Sequence, residues 1–165
     1  MTNAHVVAGS SSTIVEDADG REHETRVVAF DPVRDLAMLA VPTLDAPGLE
    51  LRRGREGDVG AVYGHPGGGA LRAAPARVGE EMNAVGSDIY RTSESTRAIL
   101  VLAASLEPGD SGAPLVDVEG RVIGVAFAID PAREGTSYAL AYEEVLGVLG
   151  LVQEAGVSTG GCLIG

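Results

Sequence analysis

Lysine and tryptophan are missing from this chain, cysteine occurs once, and there are only two phenylalanines and four tyrosines. All twelve basic residues are arginines, set against 24 Asp and Glu, so the formal charge is −12. A nucleic-acid partner is excluded by that balance, because gripping phosphates needs clustered Lys and Arg, and an acidic surface repels anionic lipid as well. One cysteine cannot close an internal disulfide, so Cys162 is either free or separated from its partner. No Cys and His spacing suggests zinc, and neither a metal nor a cofactor is expected. Gly67-Gly68-Gly69 lacks the Lys-Ser or Lys-Thr that completes a phosphate loop. No run reaches the roughly 18 to 20 apolar residues that span a bilayer, and no leader peptide opens the chain. With so few aromatics, a core must be built from Val, Leu, Ile and Ala. Together with 23 glycines, that composition fits turn-rich β structure.

The pattern of apolar runs and turn residues supports this reading. Segments 12–16 and 24–30 flank Asp19-Gly20, a two-residue hairpin signal. Leu36 to Val41 is a continuous apolar run that reads as a buried strand with Asp35 at its entry. A Pro-, Gly- and Arg-rich stretch around 46–57 reads as a loop between two halves. Further strands are expected at 59–63, 71–78, 98–103, 114–118, 121–129 and 136–141, with Glu119-Gly120 as another hairpin signal. Val145, Leu146, Leu149 and Val152 recur at offsets of three and four, predicting an amphipathic helix over 142–153.

Chemistry enters with three short segments, in the order Thr2-Asn3-Ala4-His5, Asp31 to Ala37, and Glu107 to Pro114. Singly, each has an ordinary reading: a structural histidine, one more surface acid, and a turn made of Gly, Asp and Ser. Together they supply His5, Asp35 and Ser111, the parts of a catalytic triad. A serine hydroxyl is a poor nucleophile until an imidazole takes its proton and a carboxylate fixes the imidazole's tautomer. His23 and His65 lie among turn formers and read as structural.

At these residues the chain resembles the trypsin-like bacterial serine peptidases of the chymotrypsin and HtrA-related superfamily. It is most similar to the actinobacterial membrane-anchored periplasmic proteases linked to acid resistance. The likeness runs through Thr2-Asn3-Ala4-His5-Val6-Val7, Asp35-Leu36-Ala37 and Gly109-Asp110-Ser111-Gly112. Weaker support comes from Tyr63 to Gly69, Gly86-Ser87-Asp88-Ile89-Tyr90 and Thr159-Gly160-Gly161-Cys162. The resemblance implies an all-β, two-barrel fold with a C-terminal helix. Residues 1–48 would be the remainder of an N-terminal barrel carrying His5 and Asp35, residues 49–141 a C-terminal barrel carrying Ser111, and residues 142–165 the helix and tail. It implies an oxyanion hole from the backbone N–H groups of Gly109 and Ser111. It also implies a specificity pocket with Ser105 at its base and Ala126-Phe127-Ala128 along its wall. With nothing acidic at that base, small or medium apolar side chains are expected before the cut. Asp110 is expected to brace the nucleophile loop through a buried ion pair.

The implied partner is a protein or peptide substrate. The implied setting is the periplasm or cell envelope, with membrane anchoring supplied by the full-length protein. Cys162 would pair with a cysteine ahead of the first barrel, upstream of Met1. Two departures stand out. Ala113 replaces the usual second glycine after the nucleophile, which is tolerable if its φ is negative. His5 lies only four residues after Met1, so the first barrel is expected to be incomplete and the isolated chain weakly active or inactive. A non-catalytic peptide-binding module and a serine esterase are the competing readings.

Overall fold

In the computed structural model, which describes residues 1–163, nine strands form two separate sheets. β1 (Thr13–Glu16), β2 (Glu22–Asp31) and β3 (Leu36–Ala40) make an open antiparallel sheet in the order β1-β2-β3. β4 (Val59–Gly64), β5 (Arg72–Ser87), β6 (Glu94–Ala103), β7 (Pro114–Asp117), β8 (Val122–Ile129) and β9 (Thr136–Leu140) close a barrel in the order β4-β5-β6-β9-β8-β7. The all-β expectation, with one incomplete and one closed half, is met.

The barrel is filled by Val62, Val78, Leu100, Leu102, Leu115 and Ile123, the aliphatic core the composition requires. A second cluster joins the halves. Leu36 of β3 packs with Ile99, Val125 and Leu140 of the barrel and with Val145 and Val148 of the C-terminal helix α2 (Tyr142–Leu149). The carboxylate of Glu144 on α2 accepts from the Ala98 amide at 2.8 Å and lies 3.3 Å from Arg34 Nε, tying the helix to both halves.

Four local details depart from the sequence expectation. Residues 4–7 form a single helical turn, α1, around His5, too short to leave a periodic signal. The hairpin ends at Asp17 and Asp117 are longer than two-residue turns: Asp17 pairs with Arg21 and Asp117 with Arg121, with Gly20 and Gly120 at φ 76° and 82°. That is a turn closed by a left-handed glycine. β5 does not stop at Val78, because the bulge between Val78 and Glu80 absorbs Gly79 and the strand continues, exposed, to Ser87 against an equally extended β6. α2 ends at Leu149 instead of Gln153. The chain there turns back to the first sheet, where the Gln153 and Val157 amides donate to Val28 and Val27 carbonyls.

Many of the acids organise turns. Asp17, Asp31, Asp88, Asp117 and Asp130 each accept two backbone N–H bonds from residues two to four places ahead. Such bonds favour the ionised form. The Arg21 amide, then the His23 ring, bring Asp17 down to about 2. Asp88 is held below the usual carboxylate range by the Thr92 amide and the Ser93 and Thr92 hydroxyls. Asp130 is lowered by the Tyr138 hydroxyl and the Ala132 amide. For Asp117 burial pushes the other way, but the Arg121 amide and the Arg52 and Arg121 guanidinia outweigh it. Since these folded-state values lie below the unfolded ones, their stabilisation is complete above about pH 4 to 5 and is lost as pH falls through the lowered values. Urea midpoints measured from pH 6 to pH 2 are expected to fall steeply below pH 4; a flat profile would contradict this assignment.

Candidate active site

Asp35 stands where the turn between β2 and β3 ends, and it is 5% exposed. Its φ of 59° is left-handed, a conformation that Asp adopts more readily than most residues but still at a cost. The Asp31 carboxylate shapes this turn by accepting the Val33 and Arg34 amides, both at 2.9 Å, and its other oxygen pairs with Arg34 at 2.7 Å. Asn3 has the residue type and extended backbone of a helix N-cap, yet its side chain makes no capping bond. Its Nδ2 instead donates to the Asp35 carbonyl at 2.9 Å, with the whole residue buried.

Both Asp35 oxygens go to His5. The His5 amide donates to Oδ1 at 2.9 Å, and ring Nδ1 lies 2.8 Å from Oδ2. A carboxylate can only accept, so the Nδ1 proton is fixed on that side and Nε2 is left with its lone pair. His5 and Asp35, 30 residues apart in the chain, are thus brought together.

Ser111 lies on the tight loop between β6 and β7. Gly112, at φ 82°, packs so closely on the segment before His5 that an added Cβ would sit 2.4 Å from Thr2 Oγ1 and 3.1 Å from the Asn3 amide. The nucleophile loop of the barrel therefore abuts the histidine segment of the open sheet. Among the described residues no hydrogen bond joins the Ser111 hydroxyl to His5; such bonds are commonly long in unliganded sites and tighten with substrate.

Two backbone donors of the same loop, the Gly109 and Ser111 N–H groups, carry no partner among the described residues. The Gly67 amide donates to the Pro108 carbonyl at 2.8 Å, and in a trans peptide this turns the Gly109 N–H to the opposite side. Gly109 itself has φ 105°, and a Cβ there would stand 2.6 Å from the His65 carbonyl, so only glycine fits. Ala113 does not have a positive φ, and its methyl is buried in the barrel core. His65 Nδ1 is 2.9 Å from the Gly69 carbonyl, and His23 lies between Thr43 and Asp17, so both are structural.

The expected brace on Asp110 has a partner that the sequence did not reveal. Arg72 Nη2 lies 3.1 Å from the Asp110 carboxylate, Nη1 donates to Glu107 at 2.7 Å, and the Glu107 amide also donates to Asp110 at 2.9 Å. Asp110 is 3% exposed. Nothing in the local sequence marks Arg72, because it comes from the first residue of β5, 38 residues before Asp110 in the chain.

Beside Ser111 opens a cavity of about 140 Å³, lined by Ala126, Phe127 and Ala128 as expected, with Leu106, Pro108 and Ile129. Ser105 is not part of the lining. It is exposed on the adjoining loop, where its carbonyl accepts from Arg72, and Leu106, which is buried, takes the inner position.

Comparisons with known proteins agree with this geometry. The trypsin-like peptidase domain profile matches residues 1–125. The serine protease Rv3671c of Mycobacterium tuberculosis is 44% identical over 171 aligned residues, covering 99% of this chain and 42% of that protein. A probable periplasmic serine endoprotease, DegP-like, from Hahella chejuensis is 29% identical over 99% of this chain and 35% of its own length. The crystal structure of the active form of the M. tuberculosis Rv3671c protease superposes with a TM-score of 0.94 at 40% identity, covering 99% of this chain and 73% of that one. The chain thus spans less than half the length of the curated relatives it matches. With its fold, the order of its motifs and most of its length in agreement, the chain belongs to the trypsin-like serine peptidases.

Proposed function

We propose that this chain is the catalytic domain of a serine endopeptidase in which Ser111 attacks a peptide carbonyl, His5 moves the proton and Asp35 orients His5. The observation that carries the reading is the doubly bonded Asp35–His5 pair, set against a loop that leaves the Gly109 and Ser111 N–H groups free. His5 Nε2 takes the Ser111 proton as the hydroxyl oxygen bonds to the carbonyl carbon. The developing oxyanion is received by the two N–H groups, each worth about 3 kcal/mol of barrier. His5 then delivers the proton to the departing amine, leaving an acyl group on Ser111 that water removes by the same route in reverse.

Substrate preference follows from the cavity walls. Leu106, Ala126, Ala128 and Ile129 are apolar, and the two acids that also line the cavity, Glu107 and Asp110, are engaged by Arg72, so small or medium apolar residues before the cut are favoured over basic ones. β7 and the residues just before it pair with β8 only as far as Ala126, whose amide and carbonyl bond Ala113 and Gly112, while β8 runs on to Ile129. The edge beyond suits an extended peptide lying antiparallel to it. The DegP-like relatives support an extracytoplasmic location. No helix among the described residues is long and apolar enough to cross a membrane.

A fluorophosphonate probe tests the nucleophile. Labelling is expected for the wild-type chain and abolished in Ser111→Ala; labelling that survives the substitution would refute the assignment. Peptide amides and matched esters run side by side separate a peptidase from an esterase, and amide turnover with an apolar residue before the cut is expected to exceed that with Arg. Arg72→Met leaves Asp110 buried without its guanidinium. Because Arg72 is itself over a third exposed, the expected cost is only about 1–2 kcal/mol of stability, with labelling about tenfold slower. Unchanged stability and labelling would show that Asp110 needs no brace.

A further inference from the structure

Asp35 is held in a left-handed conformation at the end of a turn, and one of that turn's anchors comes from the other half of the molecule. The long arm formed by β5 and β6 reaches past the barrel to the Asp31–Asp35 turn. Arg97, on β6, donates from Nε to the Val33 carbonyl at 2.7 Å and from Nη2 to the Ser87 carbonyl at 2.7 Å. At the tip of the same arm, the Ile89 amide donates to the Pro32 carbonyl at 3.2 Å. The turn leading to the acid is thus gripped at two consecutive carbonyls from outside its own sheet.

The arm is built to hold that tip in place. Asp88, 7% exposed, accepts from the Tyr90 and Thr92 amides and from the Thr92 and Ser93 hydroxyls, at 2.7 to 3.0 Å. The Tyr90 hydroxyl reaches the Thr159 carbonyl in the C-terminal segment, which also accepts from the Gly9 amide. Arg97 itself forms no ion pair among the described residues, although acids outnumber bases two to one in this chain. Its guanidinium is committed to two backbone carbonyls, one on each side of the junction. A planar fork with fixed donors suits that bridging better than a lysine's single ammonium.

We propose that Arg97 is a positioning residue for Asp35, acting through the Val33 carbonyl to hold the carboxylate where both its oxygens meet His5. This rests on the triad reading above. Without Arg97 the Val33 carbonyl loses its donor and the turn is left to Asp31, Asn3 and the Ile89 amide, so Asp35 drifts further from its left-handed state, and the Nδ1 bond of His5 lengthens first, since the ring reaches further than the backbone amide. Arg97 touches neither substrate nor the reacting atoms.

The test is a double-mutant cycle in the full chain with Arg97→Met, Asp35→Asn and the pair, followed by the labelling rate of Ser111, the low-field proton signal of His5 Nδ1–H and thermal unfolding. Arg97→Met is expected to slow labelling about tenfold, yet by less than twofold in the Asp35→Asn background, because a residue acting through Asp35 has nothing left to position. The Nδ1–H signal is expected to broaden or move upfield in Arg97→Met while the protein stays folded at 25 °C. A rate within twofold of wild type with an unmoved signal would overturn the proposal. So would the same tenfold loss in both backgrounds, which would make Arg97 a general support of the fold. Should wild-type labelling prove independent of Ser111, the triad reading fails, and the proton signal still decides whether Arg97 holds the Asp35–His5 bond.

Discussion

The Asp35–His5 contact is the constraint from which the arrangement of this molecule follows. A carboxylate that spends one oxygen on a backbone amide and the other on the imidazole of the same residue fixes that residue's position and tautomer together. Reaching it requires Asp35 to take a left-handed backbone, and a strained residue persists only when its surroundings over-determine it. Here Asp31 closes the turn, Asn3 holds the Asp35 carbonyl, and Leu36 next to it is completely buried in the cluster that joins sheet, barrel and helix.

Two incomplete statements of the site come from two different sheets. His5, on α1, and Asp35, just before β3, come from the open-sheet half, while Ser111 comes from a loop of the closed barrel, so in the proposed reading neither half alone contains an acyl-transfer centre. Gly112 against Thr2 and Asn3 sets their approach, and Gly109 against the His65–Gly67 turn sets the direction of the N–H proposed to bind the oxyanion. At both points a methyl group would push backbone away from backbone, so glycine fixes the geometry by what it leaves out.

Residue types and their order made the chemistry legible. His5, Asp35 and Ser111 could be named as candidates because each sits in a short motif with a mechanism, and most strands could be placed because aliphatic runs alternate with turn residues. The failures have physical reasons. The resemblance placed Ser105 at the base of the pocket, but the loop turns it outward and Leu106, the apolar neighbour, inward. The β5–β6 arm was hidden because among its β5 residues 80–87 only Ala84 is even partly buried, which leaves no alternation to read, and Gly79 read as an end where the strand holds a bulge. Arg72 and Asn3 were missed since their partners lie 38 and 32 residues away. The high acid content suggested only a repelling surface, whereas five aspartates bind turn amides.

The central claim is that residues from two sheets converge on a single acyl-transfer centre. A crystal structure of the chain inactivated by a peptide boronic acid or a phosphonate tests it most directly. The account predicts a covalent bond to Ser111 Oγ, the adduct oxygen within about 2.7–3.1 Å of the Gly109 and Ser111 amides, and His5 still bound to Asp35 through Nδ1. An adduct on another residue, or one on Ser111 whose oxygen points away from both amides, would contradict it.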